Sequence, residues 1–419
     1  MLFCTFTRMT FLYNFITHLT YFFLRIYAVF NKKMKLFVSG REESFQHLSS
    51  IKKEDRTIWF HVASLGEFEQ AIPIIESTKE NWQDHKIIVT FFSPSGYEIR
   101  KNSKLAEVIW YLPFDTKANM RSFVELVHPE IAIIVKYEFW PNLLRQLKKQ
   151  SIPTILVSGI FRKNQIFFKS TAKWMRKSLT AFDHFFVQDM PSKKLLESID
   201  FNAISITGDT RFDRVSKILE QDNTLPFISE FTNNEYTIVA GSTWREDEEL
   251  LVNYINNSRG EKFIIAPHTV DTTSIQKLKG SLKKNTILYS EKNGKKLSEY
   301  TVFIIDTIGL LTKIYSYADI AYVGGGFKTG LHNILEPATF GIPIVIGPEY
   351  NKFREALDLV ELHGCISISN LSTFSSTFIR LKNDINYRNE TGKINDIYIR
   401  KNNGATAQIM QYVNTQLSL

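Results

Sequence analysis

Short apolar runs recur along most of this chain, and helix-like segments separate them. The first series begins at Thr57, and it comprises TIWFHVA, KIIVTFF, EVIWYLP, EIAIIVKYE, TILVSG, HFFVQD and ISITGD. The second series begins at Tyr236, and it comprises YTIVAGST, KFIIAPHT, NTILYS, TVFIID, IAYVGGG and IPIVIGP. Continuous apolar runs bounded by helical segments are typical of buried strands in βα units on a parallel sheet. The pattern predicts an α/β protein with two doubly wound, Rossmann-like domains.

The rhythm breaks between Val215 and Glu235, where the hydrophobic period is unclear and Pro226 interrupts it. We interpret residues 215–235 as a linker between an N-terminal domain, residues 36–214, and a C-terminal domain, residues 236–419. A chain of 419 residues is long enough for two domains of ordinary size. Because doubly wound domains bind ligands beyond the carboxyl ends of their strands, usually in a cleft, we expect the chemistry in the loops that follow the strands.

Residues 1–35 have a different pattern. No residue from Met9 to Leu24 carries a formal charge at neutral pH, and Arg25 then precedes lysines at positions 32, 33 and 35. The segment is compatible with a membrane anchor or interfacial helix, a buried amphipathic helix, or a signal peptide, although no small-x-small cleavage site follows it. We favour the anchor or interfacial helix, and the lysines would then keep the following domain on the cytoplasmic side.

Charge and cysteine content narrow the partners only slightly. The formal net charge of +8 suits an anionic membrane surface, a phosphorylated substrate or nucleic acid. Nucleic acid is disfavoured, because the lysines are scattered and no stacking motif accompanies them.

The two cysteines, Cys4 and Cys365, are far apart in sequence, which argues against a disulfide framework and for a reducing compartment.

The stretch HVASLGEFEQ, residues 61–70, follows the first apolar run and leads into a helix. Ser64 and Glu67 have the spacing of a capping box, in which hydroxyl and carboxylate satisfy each other's backbone amides. The field of the helix N-terminus would also keep the Glu67 carboxylate ionised, at some cost in basicity. The sequence leaves open whether Glu67 caps the helix or acts as a base at its tip.

Two further strand-end loops carry charged side chains, in KYEFWPN and GDTRFD. Glu138 in the first loop is either a site residue or a surface carboxylate paired with Lys136. Arg211 in the second is either a site residue or the partner of Asp209 or Asp213 on a solvated turn. The local sequence does not choose between these readings.

A glycine-rich loop at residues 324–330 runs towards a predicted helix that begins near Asn333. It fits no dinucleotide fingerprint and lacks the Lys-Ser/Thr of a phosphate loop, so it could simply form a tight turn. Asn333 and Glu336 share one helix face, where a carboxylate can accept hydrogen bonds from ribose hydroxyls and the adjacent amides can bind phosphate.

Six motifs in order, FHVASLGE, KYEFWPN, TGDTRFD, AGSTWREDEE, IIDTIGLL and GGGFKTGLHNILEPATFGIPIVIGP, resemble those of the 3-deoxy-D-manno-octulosonic acid (Kdo) transferases of lipid A assembly. The resemblance runs from about residue 10 to the C-terminus. It implies a GT-B fold, two Rossmann-like domains facing a cleft, with an N-terminal membrane-associated helix. It also implies an inverting transfer of Kdo from CMP-Kdo to a lipid A precursor of the lipid IVA type, at the cytoplasmic face of the inner membrane.

The resemblance assigns roles to individual residues. It makes Glu67 the general base, and it makes Glu138 and Arg211 the pair that stabilises the transition state. It places CMP on Pro267 and His268, on Ile308, Gly309 and Leu310, and on Asn333, Ile334, Leu335 and Glu336. No metal and no cofactor are expected, since no Asp-x-Asp motif is present and the acids at 246–249 have the pattern of a helix first turn.

This sequence departs from the family pattern at several positions. The common PRHP is PHTV here, so the expected arginine is absent and His268 stands beside its place. Leu310 replaces a frequent glutamate, Trp244 a histidine and Arg211 a lysine, and the loop before His332 is slightly shorter. Three other functions stay open: a uridine-nucleotide epimerase or N-acetylglucosaminyl transferase, a glycosidase using Glu67 and Glu138, and a non-catalytic membrane-tethered nucleotide-sugar-binding protein.

Overall fold

The computed structural model describes residues 2–169 and 172–418, and residues 2–7 by their backbone only. Cys4 therefore lies outside the described side chains, whereas Cys365 is a buried free thiol. The strands within the described residues are β1 Arg56–Val62, β2 His85–Phe91, β3 Val108–Tyr111, β4 Ile131–Val135, β5 Thr154–Gly159, β6 His184–Val187, β7 Ile204–Ile206, β8 Thr237–Thr243, β9 Lys262–Pro267, β10 Thr286–Leu288, β11 Val302–Ile304, β12 Ile320–Val323, β13 Ile344–Ile346 and β14 Cys365–Ser367.

Helices fill the connections between these strands. Those within the described residues are α1 Leu2–Ala28, α2 Lys32–Glu42, α3 Ser44–Leu48, α4 Leu65–Asn81, α5 Pro94–Arg100, α6 Lys117–Val127, α7 Pro141–Lys149, α8 Lys173–Leu179, α9 Met190–Glu197, α10 Arg211–Ser216, α11 Pro226–Thr232, α12 Arg245–Asn257, α13 Thr272–Ser281, α14 Leu311–Ile314, α15 Leu335–Thr339, α16 Arg354–Glu361, α17 Leu371–Asn383, α18 Ile385–Asn402 and α19 Ala405–Leu417.

The first compact unit comprises residues 1–214 and 403–419. Its described strands form one parallel sheet in the order β3-β2-β1-β4-β5-β6-β7. Successive side chains of β1 enter different hydrophobic clusters, Trp59 on one face and Ile58 and Phe60 on the other. Both faces are therefore covered, as continuous apolar strands require. The strand order reverses between β1 and β4, which is where doubly wound sheets bind ligands.

The second compact unit comprises residues 215–402. Its described strands form a parallel sheet in the order β10-β11-β9-β8-β12-β13-β14, so its order reverses between β8 and β12. Ile238 and Val239, adjacent on β8, again enter different clusters. Each unit is thus a doubly wound, Rossmann-like domain, and the predicted α/β fold class is confirmed.

The unit boundaries differ from the predicted domain boundaries at two places. The segment 215–235, which we interpreted as a linker, lies in the second unit and contains α11. Pro226 there does not break an element but begins one, and Ile228 and Phe231 are buried in the core. Residues 403–419 return to the first unit, where Asn414 of α19 accepts a hydrogen bond from Trp82 (2.9 Å).

The N-terminal helix α1 packs against the first unit along one stripe. Tyr13 donates a hydrogen bond to Asp115 (2.7 Å), and the Tyr21 and Phe114 rings lie 4.3 Å apart. Large apolar side chains elsewhere on α1 are exposed, among them Phe11, which is 73% exposed. Among the described residues, no helix combines the length and apolar character that crossing a bilayer requires.

Candidate functional site

Glu67 lies where the sheet order of the first unit reverses, because α4 begins directly after β1. Its carboxylate accepts a hydrogen bond from the backbone amide of Ala63. The capping box proposed from the sequence is not formed, since the Ser64 side chain makes no cap hydrogen bond and the Glu67 carboxylate bonds Ala63 instead of Ser64. Glu67 therefore ties down the turn before the helix by one bond, and its position does not depend on a reciprocal cap.

The surroundings of Glu67 change its basicity. The residue is only 7% exposed, and burial raises the pKa of its carboxyl group, while the Ala63 amide opposes that rise. The nearby charge of Glu138 raises the pKa further, and Lys136 and His61 lower it. The expectation of reduced basicity for Glu67 is therefore wrong, because burial of its carboxylate outweighs the Ala63 hydrogen bond and the charges of Lys136 and His61. A carboxylate with a raised pKa is the stronger proton acceptor.

Glu138 follows β4, the strand beside β1, so the structure brings it to the same reversal of the sheet as Glu67. The side chain of Glu138 is only 10% exposed, so it is not the surface carboxylate that the local sequence also allowed. One carboxylate oxygen, Oε2, accepts a hydrogen bond from Trp140 Nε1 at 2.7 Å. The same oxygen lies 3.3 Å from His61 Nε2.

His61 is a polar site residue that sequence reasoning missed. It lies on β1, is fully buried, and contacts Thr90 of β2 through Nδ1, at 2.9 Å from the hydroxyl and 3.0 Å from the carbonyl oxygen. Trp59 Nε1 donates to the same Thr90 hydroxyl at 2.9 Å. The alternation of the strand offered a signal, because Trp59 and His61 are two residues apart and so point to one face.

Arg211 begins α10 and forms an ion pair with Asp209, with guanidinium-to-carboxylate distances of 2.9 and 3.0 Å. The pairing with Asp209, which the sequence left open, is therefore present. It does not lie on a solvated turn, because Asp209 is buried and Arg211 is only partly exposed. Burial alone would raise the pKa of Asp209, but the charge and hydrogen bonds of Arg211 outweigh it and lower that pKa. Asp209 also accepts a hydrogen bond from Gln70 of α4 (2.9 Å), which ties the Arg211 loop to the helix that carries Glu67.

The glycine loop of the second unit follows β12, beside β8, at the reversal of that sheet. Asp247, one of the acids that we interpreted as a helix first turn, is buried and accepts hydrogen bonds from the amides of Trp244 and Gly325 (both 2.9 Å) and from the Tyr322 hydroxyl (2.6 Å). A Cβ on Gly324 would come within 2.4 Å of the Ser242 carbonyl oxygen. The acid and the glycine are therefore both needed for the close approach of this loop to the end of β8.

The structure links two of the segments assigned to CMP. Glu336 accepts hydrogen bonds from Thr312 (2.7 Å) and from the Asn333 side chain (3.1 Å). Thr312 lies on α14, directly after the loop at 308–310, in which Ile308 is 85% exposed and Gly309 has a φ of +97°. Ile334 and Leu335 are buried, so these two residues contribute backbone and packing to the candidate nucleotide site.

Pro267 ends β9, and the His268 that follows stacks on Trp244 and is tilted towards His332, whose Nε2 accepts a hydrogen bond from Trp244 Nε1 (3.0 Å). His268 lies 4.4 Å from Trp244 and 4.5 Å from His332, measured between ring centroids. Burial lowers the pKa of His268, and burial together with His268 lowers the pKa of His332 to about 4. At neutral pH this stack therefore carries little positive charge, and His268 does not supply the charge of the arginine that the family pattern has nearby.

A sequence model of the family described as 3-deoxy-D-manno-octulosonic-acid transferase (kdotransferase) matches residues 39–214. The 3-deoxy-D-manno-octulosonic acid transferase of Aquifex aeolicus is 26% identical over 84% of this chain and 94% of its own length. The enzyme of the same name from Haemophilus influenzae is 26% identical over 86% of this chain and 87% of its own length.

Solved structures agree on the architecture. UDP-GlcNAc 2-epimerase from Neisseria meningitidis, bound to UDP-GlcNAc, is similar over 86% of this chain and 100% of that chain, with a TM-score of 0.60 and 14% sequence identity. At this identity the similarity concerns the fold alone, and it agrees with the predicted GT-B type of architecture. The resemblance of this chain to the family of 3-deoxy-D-manno-octulosonic acid transferases, first drawn from its motifs, is confirmed.

Proposed function

We propose that this protein is an inverting glycosyltransferase that moves Kdo from CMP-Kdo to a lipid A precursor of the lipid IVA type. The observation that carries the proposal is the buried Glu67, with a raised pKa, at the reversal of the sheet and within the electrostatic reach of Glu138. A sugar hydroxyl is a weak nucleophile until a base removes its proton, and a carboxylate of raised pKa in a ligand-binding crevice suits that task.

The chemical step uses few groups. The acceptor hydroxyl transfers its proton to a carboxylate oxygen of Glu67 while its own oxygen bonds to the anomeric carbon of Kdo. The bond from that carbon to the phosphate oxygen of CMP breaks, and CMP leaves with the electron pair. Attack from the face opposite the leaving group inverts the configuration of the anomeric carbon.

Glu138 and Arg211 stabilise the charges that develop during this step. An oxocarbenium-like sugar is electron-poor, and a buried carboxylate such as Glu138 offsets its positive charge. Arg211 offers a guanidinium whose orientation is fixed by Asp209, and a preoriented cation needs no reorganisation when negative charge develops. The hydrogen bond from Gln70 to Asp209 holds the loop that carries this cation against α4.

The donor binds to the second unit. Glu336 and Asn333 recognise the ribose hydroxyls, the loop at 308–310 contacts the nucleotide, and Pro267 and His268 complete the site. Since the His268 and His332 rings are mostly neutral, amide and imidazole N–H groups bind the phosphate in place of the missing arginine.

The lipid acceptor explains the N-terminal helix and the basic surplus. The exposed apolar side chains of α1, Phe11, Phe15, Phe22 and Phe23 among them, would lie in the headgroup region of the cytoplasmic leaflet of the inner membrane. Lysines 32, 33 and 35 follow at once and would contact anionic lipids. A cavity of about 250 Å³ lies between α1 and the strand ends, and Trp140, the donor to Glu138, lines it. An acyl chain of the acceptor would fit beneath α1 there.

Donor selectivity tests this proposal against the uridine-nucleotide alternatives. The purified protein is incubated with CMP-Kdo, with or without a tetraacylated lipid A precursor, and nucleotide release is followed by chromatography. We expect acceptor-dependent CMP release that CMP inhibits and UDP does not. Inhibition by UDP alone, or release of UDP from a UDP-sugar, would contradict the proposal. Replacing Glu67 by glutamine tests its role as the base in the same assay. The matched control is Glu80→Gln, because Glu80 is an exposed acid on the same helix as Glu67.

A further inference from the structure

We propose that His61 is a positioning residue that orients Glu138 for the transfer reaction. The inference rests on the proposed function, because it assumes that Glu138 acts in catalysis. His61 belongs to a continuous chain of contacts that runs from Trp59 through Thr90 and His61 to Glu138. All members before Glu138 are fully buried, so water does not substitute for any of their hydrogen bonds.

The hydrogen positions in this chain follow from chemistry. Indole Nε1 can only donate, so the Thr90 hydroxyl oxygen accepts from Trp59 and keeps its own hydrogen available. If His61 is neutral, a hydrogen on Nδ1 would be donated to the Thr90 carbonyl oxygen and would leave a lone pair of Nε2 facing the Glu138 carboxylate, which is repulsive. An ionised Glu138 therefore requires the other neutral tautomer, in which Thr90 donates its hydroxyl hydrogen to Nδ1 and the ring hydrogen is on Nε2. If His61 is protonated, Nδ1 donates to Thr90 and Nε2 again carries a hydrogen. In both cases the nitrogen that faces Glu138 is a donor, as its contact with a carboxylate oxygen requires.

Glu138 Oε2 therefore receives hydrogens from two rigid rings, His61 and Trp140, at 3.3 and 2.7 Å. Trp140 is itself held by stacking on Phe92, with ring centroids 4.9 Å apart. A carboxylate that two fixed donors hold by one oxygen has lost most of its rotational freedom before substrate arrives. Preorganisation of this kind lowers the barrier of a reaction whose charge develops at a defined place.

A matched pair of variants separates this role from a structural one. In His61→Gln the side-chain amide nitrogen reaches the place of Nε2 and can still donate to Glu138. In His61→Asn the shorter amide reaches the place of Nδ1, so the contact with Thr90 is kept and the donor to Glu138 is lost. We expect His61→Asn to lower kcat by roughly 10–100-fold, the effect of one hydrogen bond to a charged group, and His61→Gln to stay within about 5-fold of wild type. The KM for CMP-Kdo should not change in either variant.

A second pair of variants covers the case in which the His61 variants fail to fold. Thr90→Ser keeps the hydroxyl and should keep kcat, whereas Thr90→Val removes it and should lower kcat in the same direction as His61→Asn. The double variant His61→Asn with Glu138→Gln should be no slower than Glu138→Gln alone, because both substitutions interrupt one path.

The outcomes distinguish this inference from the proposed function. Turnover in His61→Asn equal to that in His61→Gln, or higher, would overturn the positioning role, as would fully additive losses in the double variant. For the Thr90 pair, equal turnover in Thr90→Val and Thr90→Ser would do the same. Glu138→Gln is assayed alongside: if it is impaired while His61→Asn is not, the positioning inference alone fails. If Glu138→Gln turns over like wild type, the role of Glu138 in the proposed function is wrong.

Discussion

The substitution Glu67→Gln separates catalysis from structure most cleanly. Glutamine keeps the side-chain length and an oxygen that can accept the hydrogen bond from the Ala63 amide, but it cannot take up a proton at neutral pH. If Glu67 is the general base, turnover should fall by roughly 10²–10⁴-fold. KM for CMP-Kdo should change little, because the donor is assigned to the second unit.

The structure also limits the expected change in stability. Burial and the charge of Glu138 raise the pKa of Glu67, so its ionised form is disfavoured in the fold relative to the unfolded chain. A neutral amide avoids that penalty and loses only the attraction to Lys136 and His61. We expect the free energy of unfolding of Glu67→Gln to be within about 1 kcal/mol of wild type, and not lower by more than that.

Two measurements on the same protein sample test this reasoning. Denaturant unfolding gives the stability, and CMP release in the presence of acceptor gives the turnover, with Glu80→Gln as the control. A Glu67→Gln protein whose free energy of unfolding is several kcal/mol lower than that of wild type, but which turns over at the wild-type rate, would contradict a catalytic role for Glu67. That result would make Glu67 a structural residue that holds the turn through the Ala63 amide, and it would leave the proposed reaction without a base.

Three further predictions follow from other parts of the structure. Asp209→Asn should lower turnover by at least about 10-fold and the free energy of unfolding by roughly 1–3 kcal/mol, because Arg211 and Gln70 lose the carboxylate that both of them contact. Steady-state kinetics measures the first effect and denaturant unfolding the second. Replacing Phe11, Phe15, Phe22 and Phe23 by serine should weaken binding to anionic vesicles by at least about 100-fold in a sedimentation assay, whereas serine at the exposed Ile99, Ile379, Ile385 and Ile397 should not. The pKa of His332 is lowered to about 4, so the unfolded chain binds this proton more tightly than the folded chain does, and the free energy of unfolding should fall as the pH drops from about 6.5 to 4. Since His332 is partly exposed, the fall should be at most about 3 kcal/mol. Unfolding curves measured across this pH range should lose this change in His332→Asn.

The fold was largely accessible from sequence because buried parallel strands have a strong signal. Every apolar run that we interpreted as a strand is one, but β14, Cys365–Ser367, was missed because a three-residue edge strand with a terminal serine has little hydrophobic pattern. The segment 215–235 was misleading for a different reason. Its helix α11 has seven residues, which is two turns, too short to show a period beside Pro226.

Candidate catalytic residues could be predicted from the sequence only where they stood directly after a strand. Glu67, Glu138 and Arg211 were predicted as candidates in this way, and all three belong to the first unit. His61 and Thr90 lie inside strands. The alternation along β1 shows only that His61 shares a face with Trp59, and its contact with Thr90 depends on the pairing of β1 with β2, which the sequence does not give. The rise in the pKa of Glu67 was not accessible either, because burial by the surrounding chain decides its sign.

The most direct test of the central claim is mass analysis of the lipid after reaction. A tetraacylated lipid A precursor is incubated with CMP-Kdo and either the wild-type protein or Glu67→Gln, and the lipid is extracted. The account predicts lipid carrying one or more added Kdo residues with the wild-type protein, and almost none with the folded variant. An unchanged lipid mass after incubation with the wild-type protein, or equal Kdo addition by both proteins, would contradict the account.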